Sequence, residues 1–271
     1  MFSFFTEILQ KNAIDCFAPI PLEACRVLRP YLLEREGIAD GTVILLAVPY
    51  FTAAASDPDR NLSAYAVSRD YHGFFAELFD SVLPILRERF PENRFVGFAD
   101  HSPIAEVEAA ARAGLGVIGR NGLLITERYS SYVFLGEIVT DARIDCGVGE
   151  IGFCEDCGAC RRACPMNELG TCLSALTQKK GALTESEAAA IRKYGSAWGC
   201  DICQEVCPHT RRALESGSIL SPIPYFSKAP IPHLSTSILD SLSDADFRTR
   251  AFAWRGRETV ARNLGLLEKK E

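Results

Sequence analysis

The sequence predicts an α+β fold: an α/β layer, then a cysteine-rich unit, then a helical tail. Three observations predict it. Apolar, β-branched runs alternate with helically spaced segments through the first 149 residues. Eight of the eleven cysteines fall between Cys154 and Cys207. A proline-rich stretch and a capped, arginine-rich segment close the chain. With 271 residues there is room for this division into 1–149, 150–215 and 216–271.

Residues 1–40 read as two short helices broken around Pro19 and Pro21. Gly41 to Tyr50, GTVILLAVPY, is a continuous apolar run and predicts a buried strand. From Leu62 to Phe90 the spacing is helical, with Pro84 as a kink or break. Arg94 to Ala99, RFVGFA, reads as a second strand. Ala105 to Ala113 is a short helix closed by the glycine-rich turn GLGVIGRNG, and Tyr132 to Thr140 is a further strand. Ser216 to His233 carries four prolines and predicts an extended linker over the surface. Ser243 and Asp246 form a capping box before Phe247, opening a helix that carries Arg248, Arg250, Arg255, Arg257 and Arg262.

Composition narrows the function. The start, MFSFFTEILQKNAID, lacks the basic opening and long apolar run of a secretory signal. No stretch of about 18 apolar residues exists, so no membrane span is expected and a cytoplasmic location is. In that setting, cysteines at this density serve metal ligation rather than disulfides. Cys16, Cys25 and Cys146 stand apart and read as small buried hydrophobes. The formal net charge is −6; two four-iron clusters on eight thiolates take it to about −10. Such a chain is no general polyanion binder, and any nucleic-acid site must be a local basic patch.

The first cysteine run, Cys154-x2-Cys157-x2-Cys160-x3-Cys164-Pro165, is the signature of bacterial two-cluster ferredoxins. Three thiolates at this spacing wrap one [4Fe–4S] cube, and the fourth is carried to the other cluster. The second run is Cys172, then Cys200-x2-Cys203-x3-Cys207-Pro208. The crossing rule assigns Cys154, Cys157, Cys160 and Cys207 to cluster one. Cluster two takes Cys172, Cys200, Cys203 and Cys164. Paired structural zinc knuckles, the alternative, do not account for the third cysteine or the Cys-Pro endings. Asp156, Asp201 and Glu205 lie near these ligands in sequence, and negative charge there lowers a cluster's potential.

A two-cluster unit needs only about sixty residues, so the preceding segment is expected to bind a substrate or a second cofactor. It has no Walker-type phosphate-binding loop, and Gly114, Gly116 and Gly119 lack the preceding strand of a dinucleotide fingerprint. Several stretches resemble one family in order: ILLAVPY (44–50), RDYH (69–72), FAD with SP (98–103), ARAGLGVIGRNGLLI (111–125) and VFLGEIVTD (133–141). TCLSALTQKKG (171–181), YG with WGCDICQEVCP (194–208) and the final LSDADFRTRAFAWRGRETVARNLGLL continue the match. This is the pattern of the epoxyqueuosine reductases, cobalamin-dependent iron–sulfur enzymes of tRNA modification related to reductive dehalogenases.

The resemblance implies a nitroreductase-like α/β unit holding cobalamin, followed by a ferredoxin-like unit that passes electrons to cobalt. It implies Asp100 as the carboxylic acid that supplies a proton. An exposed aspartic acid has a pKa near 4, so such a role calls for desolvation, and Phe98, Ala99 and Pro103 are the neighbours to provide it. It further implies Ser63, Tyr71, His72, Arg120, Asn121, Cys200 and Asp201 as cofactor contacts. The sequence departs from the family at Ser63, where members often carry cysteine, and at Val117, where they carry tryptophan. It also stops where many members continue into a helical repeat domain that helps hold tRNA.

Three hypotheses follow. The first is a corrinoid-dependent reductase that deoxygenates epoxyqueuosine in tRNA. The second is a related reductase of a small organic substrate. The third is a non-catalytic electron-transfer or corrinoid-reducing protein. The first two need an external low-potential electron donor. With no heptad pattern or apolar seam, a monomer is expected.

Overall fold

The computed structural model describes residues 1–167 and 170–268. In chain order the first elements are α1 (Phe2–Lys11), β1 (Phe17–Pro21), α2 (Pro30–Arg35), β2 (Thr42–Pro49), α3 (Ala64–Val67) and α4 (Tyr71–Arg89). Then come β3 (Phe95–Phe98), α5 (Glu106–Arg112), β4 (Val117–Ile118), β5 (Leu124–Ile125) and β6 (Val133–Thr140). The remainder is helical: α6 (Ala159–Ala163), α7 (Leu173–Thr177), α8 (Glu185–Tyr194), α9 (Ile202–Glu205) and α10 (Pro208–Glu215). The last three are α11 (Thr236–Ser241), α12 (Asp244–Arg248) and α13 (Arg257–Glu268). Two compact units result. One comprises Met1–Pro49, His72–Cys157 and Arg212–Ile223; the other comprises Tyr50–Tyr71, Gly158–Arg211 and Pro224–Glu271.

In the first unit a four-stranded sheet runs in the order β1-β2-β6-β3, every pair antiparallel. All eight residues of β2 are buried, as the unbroken apolar run requires of an interior strand covered on both faces. One face receives α4. Its Phe75 and Phe79, one turn apart, lie over Gly136 and Gly97; a Cβ at those glycines would fall 2.4 Å and 2.5 Å from the rings. Those two glycines are thus the seats of the helix. The other face meets α2 and α5 through a core that includes Leu32, Leu33, Leu45, Phe98, Ala110 and Val139.

Two expectations need correction here. Residues 1–40 contain a strand as well as helices: β1 holds both Pro19 and Pro21. It is an edge strand, where a missing N–H costs no ladder bond. Pro84 does not end its helix, since α4 runs through it to Arg89.

Among the described residues, the second unit has no sheet of its own. Met166, Leu173, Leu176 and Ile191 form its core. The Asn263 side chain, fully buried, donates to the carbonyls of Thr177 (2.7 Å) and Ala197 (2.9 Å). Helix α8 starts in a reciprocal capping box between Thr184 and Glu187. The 216–233 stretch is not a surface linker. Ile219, Ile223 and Phe226 are all buried, and a 3-10 turn spans Pro224–Ser227.

The arginine-rich segment is likewise not one helix. Ser243 does cap α12, but α12 ends at Arg248, and Asp70 then takes a backbone bond from its N–H to the Thr249 carbonyl (2.8 Å). Most of its arginines are turned inward. Arg250 is 5% exposed and donates to Ala229 O. Arg257 donates to Leu239 O and Leu242 O, and Arg262 to Lys179 O and Gly181 O. No helix among the described residues is long and apolar enough to cross a membrane.

Candidate functional site

In the first unit, Asp100 follows β3 at the apex of a tight turn. His101 N–H donates to Ala99 O at 2.7 Å across it, and Asp100 has φ +64°. This is a γ-turn of the rare positive-φ kind, a strained backbone for a residue other than glycine. Strain of this sort gathers at working sites. His72, in the first turn of α4, brings Nε2 to 3.6 Å from Asp100 Oδ2. The two side chains are 53% and 67% exposed. The resemblance asked for a desolvated Asp100; the surrounding chain does not bury it, because Phe98 and Pro103 both turn into the core.

The glycine turn after α5 leads into a β4–β5 hairpin that fixes the entry to the first cysteine run. Ile118 pairs with the 152–154 backbone: its N–H donates to Gly152 O (2.8 Å) and its carbonyl accepts from Cys154 N–H (3.1 Å). Arg120 N–H then points at Cys154 Sγ, 3.3 Å away. An N–H aimed at a cysteine sulfur is the bond that supports a thiolate ligand. The Arg120 guanidinium pairs with Asp156, so the side chain expected at a corrin amide is engaged with the cysteine loop. Asn121 Oδ1 accepts from Leu123 N–H within the turn (3.3 Å).

In the second unit, Cys200 is the best defined of the expected ligands. Burial pushes its thiol up to about 12; the Ile202 N–H works against this, and Asp201, Cys203 and Cys172 add to it. Cys172 and Cys203 are therefore its electrostatic neighbours. Cys164 and Cys200 pack against the same Met166–Leu173–Leu176–Ile191 core. The members of the expected cluster-two set thus gather in one unit. Ligation requires these thiols to lose their protons, and a cluster's own positive charge drives that loss. Among the described residues, no three His, Cys, Asp or Glu side chains converge on a single ion; a four-iron cube instead holds each thiolate at a separate corner.

Behind Cys200 lies a buried polar network. Asp201 is 1% exposed at its side chain. Its Oδ1 accepts from Ser63 Oγ (2.6 Å) and Gln204 Nε2 (3.0 Å). Its Oδ2 accepts from Ala64 N–H (2.6 Å) and Arg60 Nη1 (2.9 Å). Arg60 also pairs with Glu205. Two expectations change accordingly. Ser63 and Asp201 bond to each other rather than presenting free side chains to a cofactor, and the charge of Asp201 is offset by Arg60. Gly199 allows the approach: a Cβ there would lie 2.4 Å from Ser63 Cβ.

Comparison with known proteins places the chain. No family model matches it. An epoxyqueuosine reductase from Gloeobacter violaceus is 33% identical over 216 residues, 76% of this chain and 68% of the relative. One from Listeria monocytogenes is 32% identical over 277 residues, 94% of this chain and 70% of the relative. The chain belongs to the epoxyqueuosine reductase family. Its fold agrees: a crystal structure of epoxyqueuosine reductase with an epoxyqueuosine-modified tRNA-Tyr stem loop superposes with a TM-score of 0.75 at 22% identity. That likeness covers 98% of this chain and 81% of the other. The family is one of oxidoreductases, so this chain is an enzyme of that class.

For this epoxyqueuosine reductase family member, the sequence named Asp100 and His72, and the structure sets them side by side. It did not name Arg60, Tyr65 or Gln204. Tyr65 accepts from Trp198 Nε1 (2.8 Å), a fully buried indole next to Gly199 and Cys200. No local signal marks these residues, since Arg60 meets Asp201 from 141 positions away.

Proposed function

We propose that this protein reduces epoxyqueuosine to queuosine in tRNA, with Asp100 as the proton donor. The observation that carries the reading is Asp100 itself: an open carboxyl in a strained turn beside His72, in a family member that carries eight cysteines in two-cluster spacing. Loss of the epoxide oxygen as water takes two electrons and two protons. Two [4Fe–4S] clusters and a cobalamin, when bound, would supply those electrons at low potential. The chain's own residues do the rest. Asp100 delivers one proton where the oxygen leaves, solvent water supplies the second, and His72 orients the carboxyl. Because neither side chain is buried by the chain, the bound substrate and cofactor provide the desolvation that an acid needs.

The cluster ligands are read as Cys154, Cys157, Cys160 and Cys207 for one, and Cys172, Cys200, Cys203 and Cys164 for the other. The N–H bonds to Cys154 and Cys200 and the shared packing of Cys164 with Cys200 support these sets. Residues 1–149 act as the nitroreductase-like cobalamin and substrate segment, 150–215 as the ferredoxin-like segment, and 216–271 as the support. Tyr71, His72 and Asn121 remain the cofactor contacts, with Ser63, Asp201 and Arg120 holding the backbone beneath. The enzyme works in the cytoplasm as a monomer, with an external low-potential donor.

One observation favours a second reading, a reductase of a small organic substrate. Arg250, Arg257 and Arg262 are spent on backbone carbonyls and offer no basic face. The relative's stem-loop complex supports tRNA for this chain. Anaerobic reconstitution with iron, sulfide and cobalamin tests the cofactor part. About eight irons and one cobalt per chain are expected; about eight irons without cobalt would remove the corrin from the reading.

A further inference from the structure

Glu137 sits where a charged residue is least at home. It is in β6, an interior strand, fully buried, with Leu45 of β2 and Phe98 of β3 as its direct neighbours. These residues share the face covered by α5, and α5 begins at Glu106. Glu106 Oε1 and Glu137 Oε2 are both buried, and neither receives a hydrogen bond from a donor among the described residues. Two carboxylates cannot be left this way, because each would be an unpaired charge in an apolar core. A proton between them is the donor that both oxygens lack.

The remaining oxygen, Glu137 Oε1, accepts from Ser102 Oγ at 2.5 Å. Ser102 lies two residues beyond Asp100. Its Oγ also receives Ile104 N–H (3.1 Å), and its carbonyl receives Arg29 Nη1 (2.8 Å). The turn that carries Asp100 is therefore pinned at Ser102, and Glu137 is the pin. We propose that Glu106 and Glu137 share one proton and act as a positioning pair that holds, through Ser102, the turn presenting Asp100. The catalytic part of this proposal rests on the reading of Asp100 as the acid; the shared proton does not.

The titration directions agree. Burial pushes Glu106 up to about 7, the hydrogen bond from Glu137 opposes this, the charge of Asp100 adds to it and Arg29 lowers it. Glu137 is held far above the carboxylate range, by burial first and the Glu106 charge second. Glu137 thus keeps the proton and donates it to Glu106. The other groups facing the pair are Ser102 and the Cys25 thiol. Burial above all raises that thiol to about 12, Arg112 opposes it, and the thiol stays neutral.

The test uses the full-length, anaerobically reconstituted protein. Infrared spectra at pH 8 read neutral carboxyl groups directly. The wild type should show a neutral-carboxyl band that Glu137→Gln removes and Ser102→Ala leaves in place. No such band in the wild type, or a band unchanged in both Glu137→Gln and Glu106→Gln, overturns the shared proton. Amide hydrogen exchange at residues 99–105 should quicken in Ser102→Ala; unchanged exchange overturns the pinning. Turnover separates the positioning role from a merely structural one. Glu137→Ala should lower kcat about tenfold with KM nearly unchanged, and Glu137→Gln, which still accepts from Ser102, should recover most of it. Equal loss in both variants overturns it. If Asp100→Asn keeps full turnover while the infrared band behaves as expected, the reading of Asp100 fails and the shared proton stands.

Discussion

Replacing Asp201 with asparagine tests whether the network behind Cys200 is held by charge. The substitution keeps the shape and removes the charge. Four hydrogen bonds now end on this carboxylate, at 2.6, 2.6, 2.9 and 3.0 Å. The amide oxygen can keep Arg60 and Ala64 N–H. The amide nitrogen then faces Ser63 Oγ, which can turn to accept, and Gln204, which must flip. The flip also turns the Gln204 amide that bonds Tyr50, and bonds to a charged group become bonds to a neutral one. That difference is about 1 kcal/mol per bond, and Arg60, 14% exposed, is too sheltered for water to compensate fully. The Arg60 bond stays charge-assisted because its donor keeps its charge, so the loss falls on the other three and should total roughly 2–3 kcal/mol. With an unfolding entropy of about 2.1 cal/mol/K per residue, 3 kcal/mol lowers the melting temperature by about 5 °C in a chain of 271 residues. Asp201→Ala, which strands the Ala64 N–H and leaves Arg60 with Glu205 as its counter-charge, should cost about 3–5 kcal/mol. Circular dichroism melts of the reconstituted protein, with iron counted beforehand, read both. An Asp201→Asn protein that melts within about 1 °C of the parent would refute the charge argument.

Cys164→Ser and Cys172→Ser should each remove about half the iron, because both serve cluster two; full iron in either would break the crossing assignment. Asp100→Asn should cut turnover at least about a hundredfold, yet shift stability by under about 0.5 kcal/mol, since the side chain is exposed. Gly136→Ala should destabilise by about 1–3 kcal/mol, because its Cβ would meet the Phe75 ring at 2.4 Å. Glu106 is raised from 4.5 to about 7, so the folded state binds more protons than the unfolded one between those values. Its contribution is complete below about pH 4.5 and is lost as pH rises to about 7, of order 3 kcal/mol. Denaturation across that range should show a falling slope that Glu106→Gln flattens.

What was legible in the sequence divides by range. Strand β2 is legible because an eight-residue apolar run has one solution, full burial. The cysteine runs are legible because cluster ligation imposes spacing along the chain itself. Pro19 and Pro21 misled, because a proline reads as a break unless the strand is known to lie at an edge. The Arg248–Arg262 segment misled for a related reason. Its helical spacing is genuine in pieces, but backbone pairing with residues 69–70 interrupts it, and that pairing is set by tertiary contacts. Glu137 was hidden inside an apolar strand motif, since only the placement of α5 shows that it meets Glu106. Asp201 was named for nearness to Cys200, but its partners Arg60 and Ser63 come from far upstream in the chain.

The central claim is tested most directly by turnover. The reconstituted protein, supplied with a low-potential reductant, is given an anticodon stem loop bearing epoxyqueuosine, and the nucleosides are then weighed by mass spectrometry. The account predicts loss of one oxygen to give queuosine in the wild type and none in Asp100→Asn. A wild-type protein that carries both clusters and cobalamin yet leaves the epoxide intact would contradict it.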